Sequence, residues 1–127
     1  MYTDLFIEVF TGLKRNHGRA DMKKLTVTNT GKKKPKYDWA HKEVTREDYE
    51  LHLSGEQALG IQPCDDEGLC RFAAIDIDDK QHSYTNFPYH TYLDLIVKYN
   101  LPVVPVKSKS GGLHLYIFTK EPVKANF

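Results

Sequence analysis

Phe72-Ala73-Ala74-Ile75-Asp76-Ile77-Asp78 is the stretch on which the reading of this chain turns. It is short, apolar and bounded by polar residues, so it reads as a strand. Side chains alternate along a strand, so Asp76 and Asp78 share one face while Ile75 and Ile77 point to the other. Like charges side by side on a strand repel, and folding alone gives no reason for them. A divalent cation does, because hard cations take carboxylate oxygens. Phe72 to Ile75 read as a central strand, which argues against a pair that merely ends a strand at the surface. Asp79 falls on the other face or in a loop.

A second cluster, Ser108-Lys109-Ser110-Gly111-Gly112-Leu113-His114, opens another strand. Glycines let backbone N–H groups approach an anion closely, and Lys107, Ser108, Lys109 and Ser110 add donors. His114 leaves the turn on the first residues of the strand, where its ring can donate to a phosphate oxygen. A glycine pair or a lone strand histidine is weak by itself, since such a histidine is more often structural. Beside the carboxylate pair, the cluster suggests a phosphate site next to a metal site.

Composition sets the outer limits. The chain has 127 residues, 40% hydrophobic and 28% charged, with a net charge of +1. That fits one globular domain or part of one, and it does not fit a disordered chain or a wholly basic nucleic-acid binder. Local charge matters more: Lys32, Lys33, Lys34 and Lys36 form one basic cluster, read either as a solvated loop or as a phosphate contact. No apolar run is long enough for a membrane span, and no basic segment precedes an apolar core at the N-terminus. The expected location is the cytoplasm. Cys64 and Cys70 flank the acidic turn Asp65-Asp66-Glu67-Gly68; two cysteines fall short of a zinc set and read as reduced thiols near a hairpin. His17, His41, His52, His82 and His90 have no metal spacing, and His52 is placed to satisfy carbonyls at a helix end.

The pattern along the chain predicts a mixed α/β or α+β domain. Thr3 caps a first helix carrying Leu5, Phe6, Val9, Phe10 and Leu13, and Gly12 and Gly18 help end it. Lys24 to Asn29 is a short strand, and Thr30 to Trp39 a lysine-rich loop leading into an edge strand. Thr45 with Asp48 forms a capping box for a helix reaching Leu53, and Gly55 stops it. Ala58 to Gln62 and Arg71 to Asp78 form a hairpin about the acidic turn. Pro88 starts a helix that Asn100 ends, Val103 to Val106 is a strand placed at an edge by Pro105, and Leu113 to Phe118 is the last strand. Arg71 to Val106 is then a candidate parallel strand-helix-strand unit.

An apolar strand bearing Asp-x-Asp, followed by a glycine turn and a small-x-His strand, resembles the archaeo-eukaryotic primase superfamily. The motifs are Ala74-Ile75-Asp76-Ile77-Asp78 and Ser110-Gly111-Gly112-Leu113-His114. The flanks Leu51-His52-Leu53-Ser54-Gly55, Leu59-Gly60-Ile61-Gln62-Pro63 and Cys70-Arg71-Phe72-Ala73 are similar to the primase domain of TOTE conflict systems, with relatives in bacteriophage replication proteins. The resemblance implies a DNA primase-polymerase that joins nucleoside triphosphates on a DNA template. Asp76 and Asp78 would hold Mg or Mn, and His114, with Gly112 at the small position, would meet the triphosphate. Lys107, Ser108, Ser110 and Gly111 are further phosphate candidates from local chemistry. Residues 1–56 would be an N-terminal αβ unit, and 57–127 the start of an RRM-like catalytic sheet, in a single partial domain over 1–127.

The family carries a third metal-binding carboxylate on a later strand. Glu121, in Lys120-Glu121-Pro122, reads as a loop residue and is not assigned that role. The chain is therefore expected to be the first part of a catalytic domain, a split product or a degenerate relative, with the remainder of the protein or a replicative helicase as partner. If phage-encoded, it would act in the host cytoplasm. Two other readings compete: a non-catalytic nucleotide- or DNA-binding module, and a different metal enzyme such as a glycosyltransferase or nuclease.

Overall fold

A computed structural model describes residues 2–79 and 84–125. Expectations for His82 lie outside them. The chain is mixed α+β, with three helices and three small antiparallel sheets among the described residues. It divides into two compact units, one of residues 1–71 with 121–127, the other of residues 72–120.

In the first unit, helix α1 (Tyr2–Val9) is followed by strands β1 (His17–Asp21), β2 (Leu25–Val27), β3 (Lys33–Pro35) and β4 (Asp38–Ala40), helix α2 (Arg46–Leu53) and strand β5 (Gln57–Gly60). Thr3 lies inside α1 rather than capping it. β1 is the middle strand of a sheet ordered β4-β1-β5, with both neighbours antiparallel, and β2 and β3 make a separate hairpin. The hairpin expected between Ala58–Gln62 and Arg71–Asp78 is not among the described pairings: β5 pairs with β1, and β6 with β8.

α2 packs on α1 and β5. The Thr45 hydroxyl accepts from the Asp48 N–H while the Asp48 carboxylate accepts from the Thr45 N–H, which is the expected capping box. Ser54 ends the helix and Gly55 follows at φ 79°. Phe6 packs against Phe10, Tyr49 and His52, and the Tyr49 hydroxyl donates to the Phe10 carbonyl. His52 Nδ1 lies 3.3 Å from the carbonyl of Gln57, so its partner is β5 and not the end of its own helix. Leu13, Ala20, Ala40 and Tyr49 form the buried apolar core, with His17 fully buried among them.

In the second unit, strand β6 (Leu69–Ile77, entering from the first unit) leads through a short 3-10 turn (Tyr84–Asn86) to helix α3 (Tyr89–Lys98), strand β7 (Val104–Lys107) and strand β8 (Leu113–Lys124, whose residues from 121 on belong to the first unit). Pro88 stands at the N-cap of α3, where its missing N–H costs nothing, and Asn100 takes φ 46° just past the helix. The sheet order is β6-β8-β7. The strands are antiparallel, so β6 and β7 run the same way with β8 between them. The strand-helix-strand piece is thus a split βαβ unit and not a directly paired one. β8, not β6, is the central strand, and Ile75 remains 50% exposed on the edge strand β6. Pro105 sits on an edge strand as expected, where a missing donor is tolerated. β8 also runs through Lys120-Glu121-Pro122, so Glu121 is an exposed strand residue rather than a loop residue. β7 reaches only the first part of β8, from Leu113 to Tyr116, so Pro122 removes no donor from that ladder.

Candidate functional site

The central strand β8 sets out the site. In an antiparallel pair, directly opposite residues put their side chains on one face, and β7 pairs Val106 with His114 and Val104 with Tyr116. His114 and Tyr116 therefore share a face with the two valines, while Lys107 and Leu113 belong to the other. Asp76 of β6 joins the first face, its Oδ1 3.3 Å from His114 Nε2. The carboxylate of Asp76 is 62% exposed and the His114 ring 35%, so an acid and an imidazole meet where solvent reaches both.

Asp78 lies two residues further along and meets Gly112. A Cβ added to Gly112 would stand 2.9 Å from Asp78 Oδ1, 2.6 Å from the Ile77 carbonyl oxygen and 3.3 Å from Ser108 Oγ. Only glycine lets the turn come this close to β6. Asp76 meets His114 within the paired strands β6 and β8, and Asp78 meets Gly112 just beyond their ends. The structure thus gathers Asp76, Asp78, Gly112 and His114, from two separate sequence clusters.

The turn between β7 and β8 is held from within. Ser108 N–H donates to the Gly112 carbonyl, and Gly111 N–H to the Ser108 carbonyl, with Gly111 at φ 107°. These two N–H groups are therefore committed inside the turn. Ser108 is buried and its hydroxyl is 3.2 Å from that of Ser110. Ser110 is exposed and Ser108 is not, which separates two candidates the sequence treats alike. Lys107, on the face opposite His114, places its Nζ 5.4 Å from the centre of the Tyr89 ring.

Two further residues belong to this account. The Tyr89 hydroxyl, from the first turn of α3, donates to the Gly111 carbonyl and ties the helix to the turn. Tyr116 packs edge-on against His114 at 6.0 Å between ring centres, and stacks on Phe118 at the same spacing. Burial, and then the Asp76 carboxylate, raise the Tyr116 phenol above its ordinary value. Strand alternation could have placed Tyr116 with His114, since they are two apart. Tyr89 had no local signal, because its partner lies 22 residues away.

Two exposed carboxylates, one on β6 and one just past its end, with an imidazole beside Asp76, suit a hard divalent cation such as Mg or Mn, which takes oxygen ligands and keeps several waters. Among the described residues, no group of three or more His, Cys, Asp or Glu forms a metal set.

Among the described residues, no helix is long and apolar enough to cross a membrane. No curated protein matches the chain. Residues 10–127 match the family described as TOTE conflict system, Archaeo-Eukaryotic Primase domain. That span takes in both strands of the site and the turn between β7 and β8, and the chain belongs to this archaeo-eukaryotic primase family, a primase-like group of nucleotidyltransferases.

Proposed function

We propose that this chain carries a nucleotide-joining face of primase-polymerase type, acting on nucleoside triphosphates and a DNA template. The observation that carries the reading is the meeting of Asp76 with His114 on one exposed face, with Asp78 against Gly112. Asp76 and Asp78 would hold Mg or Mn. When bound, such an ion stabilises charge on a departing pyrophosphate and makes a hydroxyl a better nucleophile.

The chain's own residues bind and orient. The His114 ring and the exposed Ser110 hydroxyl donate to phosphate oxygens, and Lys109 contributes charge. Gly112 keeps the turn low enough for Asp78 to share the site. Tyr89 anchors the turn through Gly111, and Tyr116 limits the swing of the His114 ring. Catalysis on such a face is mainly positioning and charge stabilisation. Template-directed incorporation of labelled nucleotide tests this, with Asp76→Ala as the comparison. Equal incorporation by both proteins removes the assigned role of Asp76.

A second reading has one observation in its favour. Among the described residues, no third acidic side chain joins Asp76 and Asp78 in a metal set. The face would then bind a nucleotide without joining it. Saturable binding of a nucleoside triphosphate with no incorporation under Mg or Mn selects this reading.

A further inference from the structure

Cys64 and Cys70 are used by nothing in the proposed site, yet the fold sets them directly opposite each other. They form an isolated antiparallel bridge at the base of the turn Asp65–Leu69. The Asp65 N–H donates to the Leu69 carbonyl at 2.9 Å. That bond joins the residue after Cys64 to the residue before Cys70, which makes the cysteines a non-hydrogen-bonded pair. Such pairs bring Cα atoms to about 4.5 Å, inside the range of roughly 4.4–6.8 Å that a disulfide spans.

The turn is preorganised. Gly68 N–H donates to the Asp65 carbonyl, and the N–H groups of Glu67 and Leu69 both donate to Asp65 Oδ1. Ala125 N–H closes on the Gly68 carbonyl from β8's far end. Both thiols are reduced and partly exposed. Burial and the neighbouring Cys64 thiol raise the Cys70 thiol, so the two sulfurs sense each other. Two thiolate ligands without further donors do not make a zinc site, and none join them among the described residues.

We propose that Cys64 and Cys70 are a thiol–disulfide modification site that closes on reaction with a low-molecular-weight disulfide such as oxidised glutathione. The Cys64 thiolate attacks one sulfur of the glutathione disulfide, forming a mixed disulfide and releasing one glutathione thiolate. The Cys70 thiolate then attacks the Cys64 sulfur, forming the Cys64–Cys70 bond and releasing the second glutathione. Two thiol protons pass to solvent or to the leaving thiolates. The protein is oxidised by two electrons and the glutathione disulfide is reduced by two.

The test is mass spectrometry of the intact chain equilibrated in glutathione buffers, followed by alkylation and peptide mapping. The expected product is lighter by two hydrogens, carries no glutathione, resists alkylation at both cysteines and reverts with dithiothreitol. Cys70→Ser should stop at a glutathione adduct on Cys64, and Cys64→Ser at one on Cys70. Accumulation of mixed glutathione adducts on the native chain overturns the proposal, as does persistence of both alkylatable thiols in oxidised glutathione alone. Stoichiometric zinc held by the reduced chain against a chelator overturns it too.

Discussion

Among the described residues, two histidine–aspartate pairs occur, one in each unit, and their surroundings differ. In the first unit, His17 Nε2 lies 3.5 Å from Asp48 Oδ1, with His17 wholly buried. Asp48 is also held by the N–H and hydroxyl of Thr45 and by the Gln57 side-chain amide. In the second unit, the similar separation between His114 and Asp76 lies open to solvent. Buried carboxylates such as Asp48 are committed to the protein's own groups, while neither ring nitrogen of the buried His17 makes a hydrogen bond. Exposed ones leave coordination sites for something else. The same chemistry therefore builds a helix start in one place and a candidate ligand face in the other.

The sharpest way to break this contrast is to remove one acid from each pair. Asp76→Ala should lower nucleotide incorporation on the order of 10³-fold while shifting folding stability by under about 0.5 kcal/mol, because the site is on the surface. Incorporation assays and urea unfolding read the two quantities. Asp48→Ala should do the reverse, costing about 1–2 kcal/mol by removing the carboxylate that closes the capping box of α2. Unfolding followed by circular dichroism measures it, and a loss below about 0.5 kcal/mol would make this pair as dispensable as a surface one.

Acid separates the pairs as well. For Asp48, burial works to raise the carboxyl, but the Thr45 N–H and hydroxyl, His17 and Gln57 outweigh it and leave it below the ordinary 3.8. A depressed carboxyl contributes stability that is complete above its unfolded value and is lost as pH falls through its folded value. Unfolding midpoints should therefore drop below pH 3.8 in the native chain, and this part of the drop should vanish in Asp48→Asn.

Smaller effects sharpen the ligand side. Gly112→Ala pushes a Cβ onto the Ile77 carbonyl and Asp78, and should cost about 2 kcal/mol along with most of the incorporation. Tyr89→Phe removes only the hydroxyl that holds Gly111, and should cost about 1 kcal/mol with a larger rise in KM than fall in kcat. The smallest effect is spectroscopic. Asp76→Asn should move the Tyr116 phenol back toward its ordinary value while leaving the part due to burial, as read by NMR titration.

What the sequence disclosed follows from the range of each interaction. Thr45 and Asp48 complete their box within four residues, so local pattern reaches it. Strand β1 was not seen because His-Gly-Arg-Ala-Asp carries no apolar alternation; it is held by β4 and β5 on either side. The same lack of signal in β1 hides the partner of β5, which is β1 and not β6. The lysine-rich stretch read as a loop hides β3, since its pairing with β2 buries only Pro35 and leaves the lysines exposed. At the site, the sequence supplied the acids, the glycine turn and the histidine. It could not separate buried Ser108 from exposed Ser110, or assign Lys107 to the far face, because both depend on the β7–β8 register.

The most direct measurement is an NMR titration with Mn²⁺ in the presence of a nucleoside triphosphate, following ring and backbone signals of both histidine pairs. Paramagnetic broadening should strike His114, Tyr116 and Gly112 first, leave His17 sharp, and disappear in Asp76→Ala. Broadening centred on another surface, or broadening of His114 that persists without Asp76, would contradict the account.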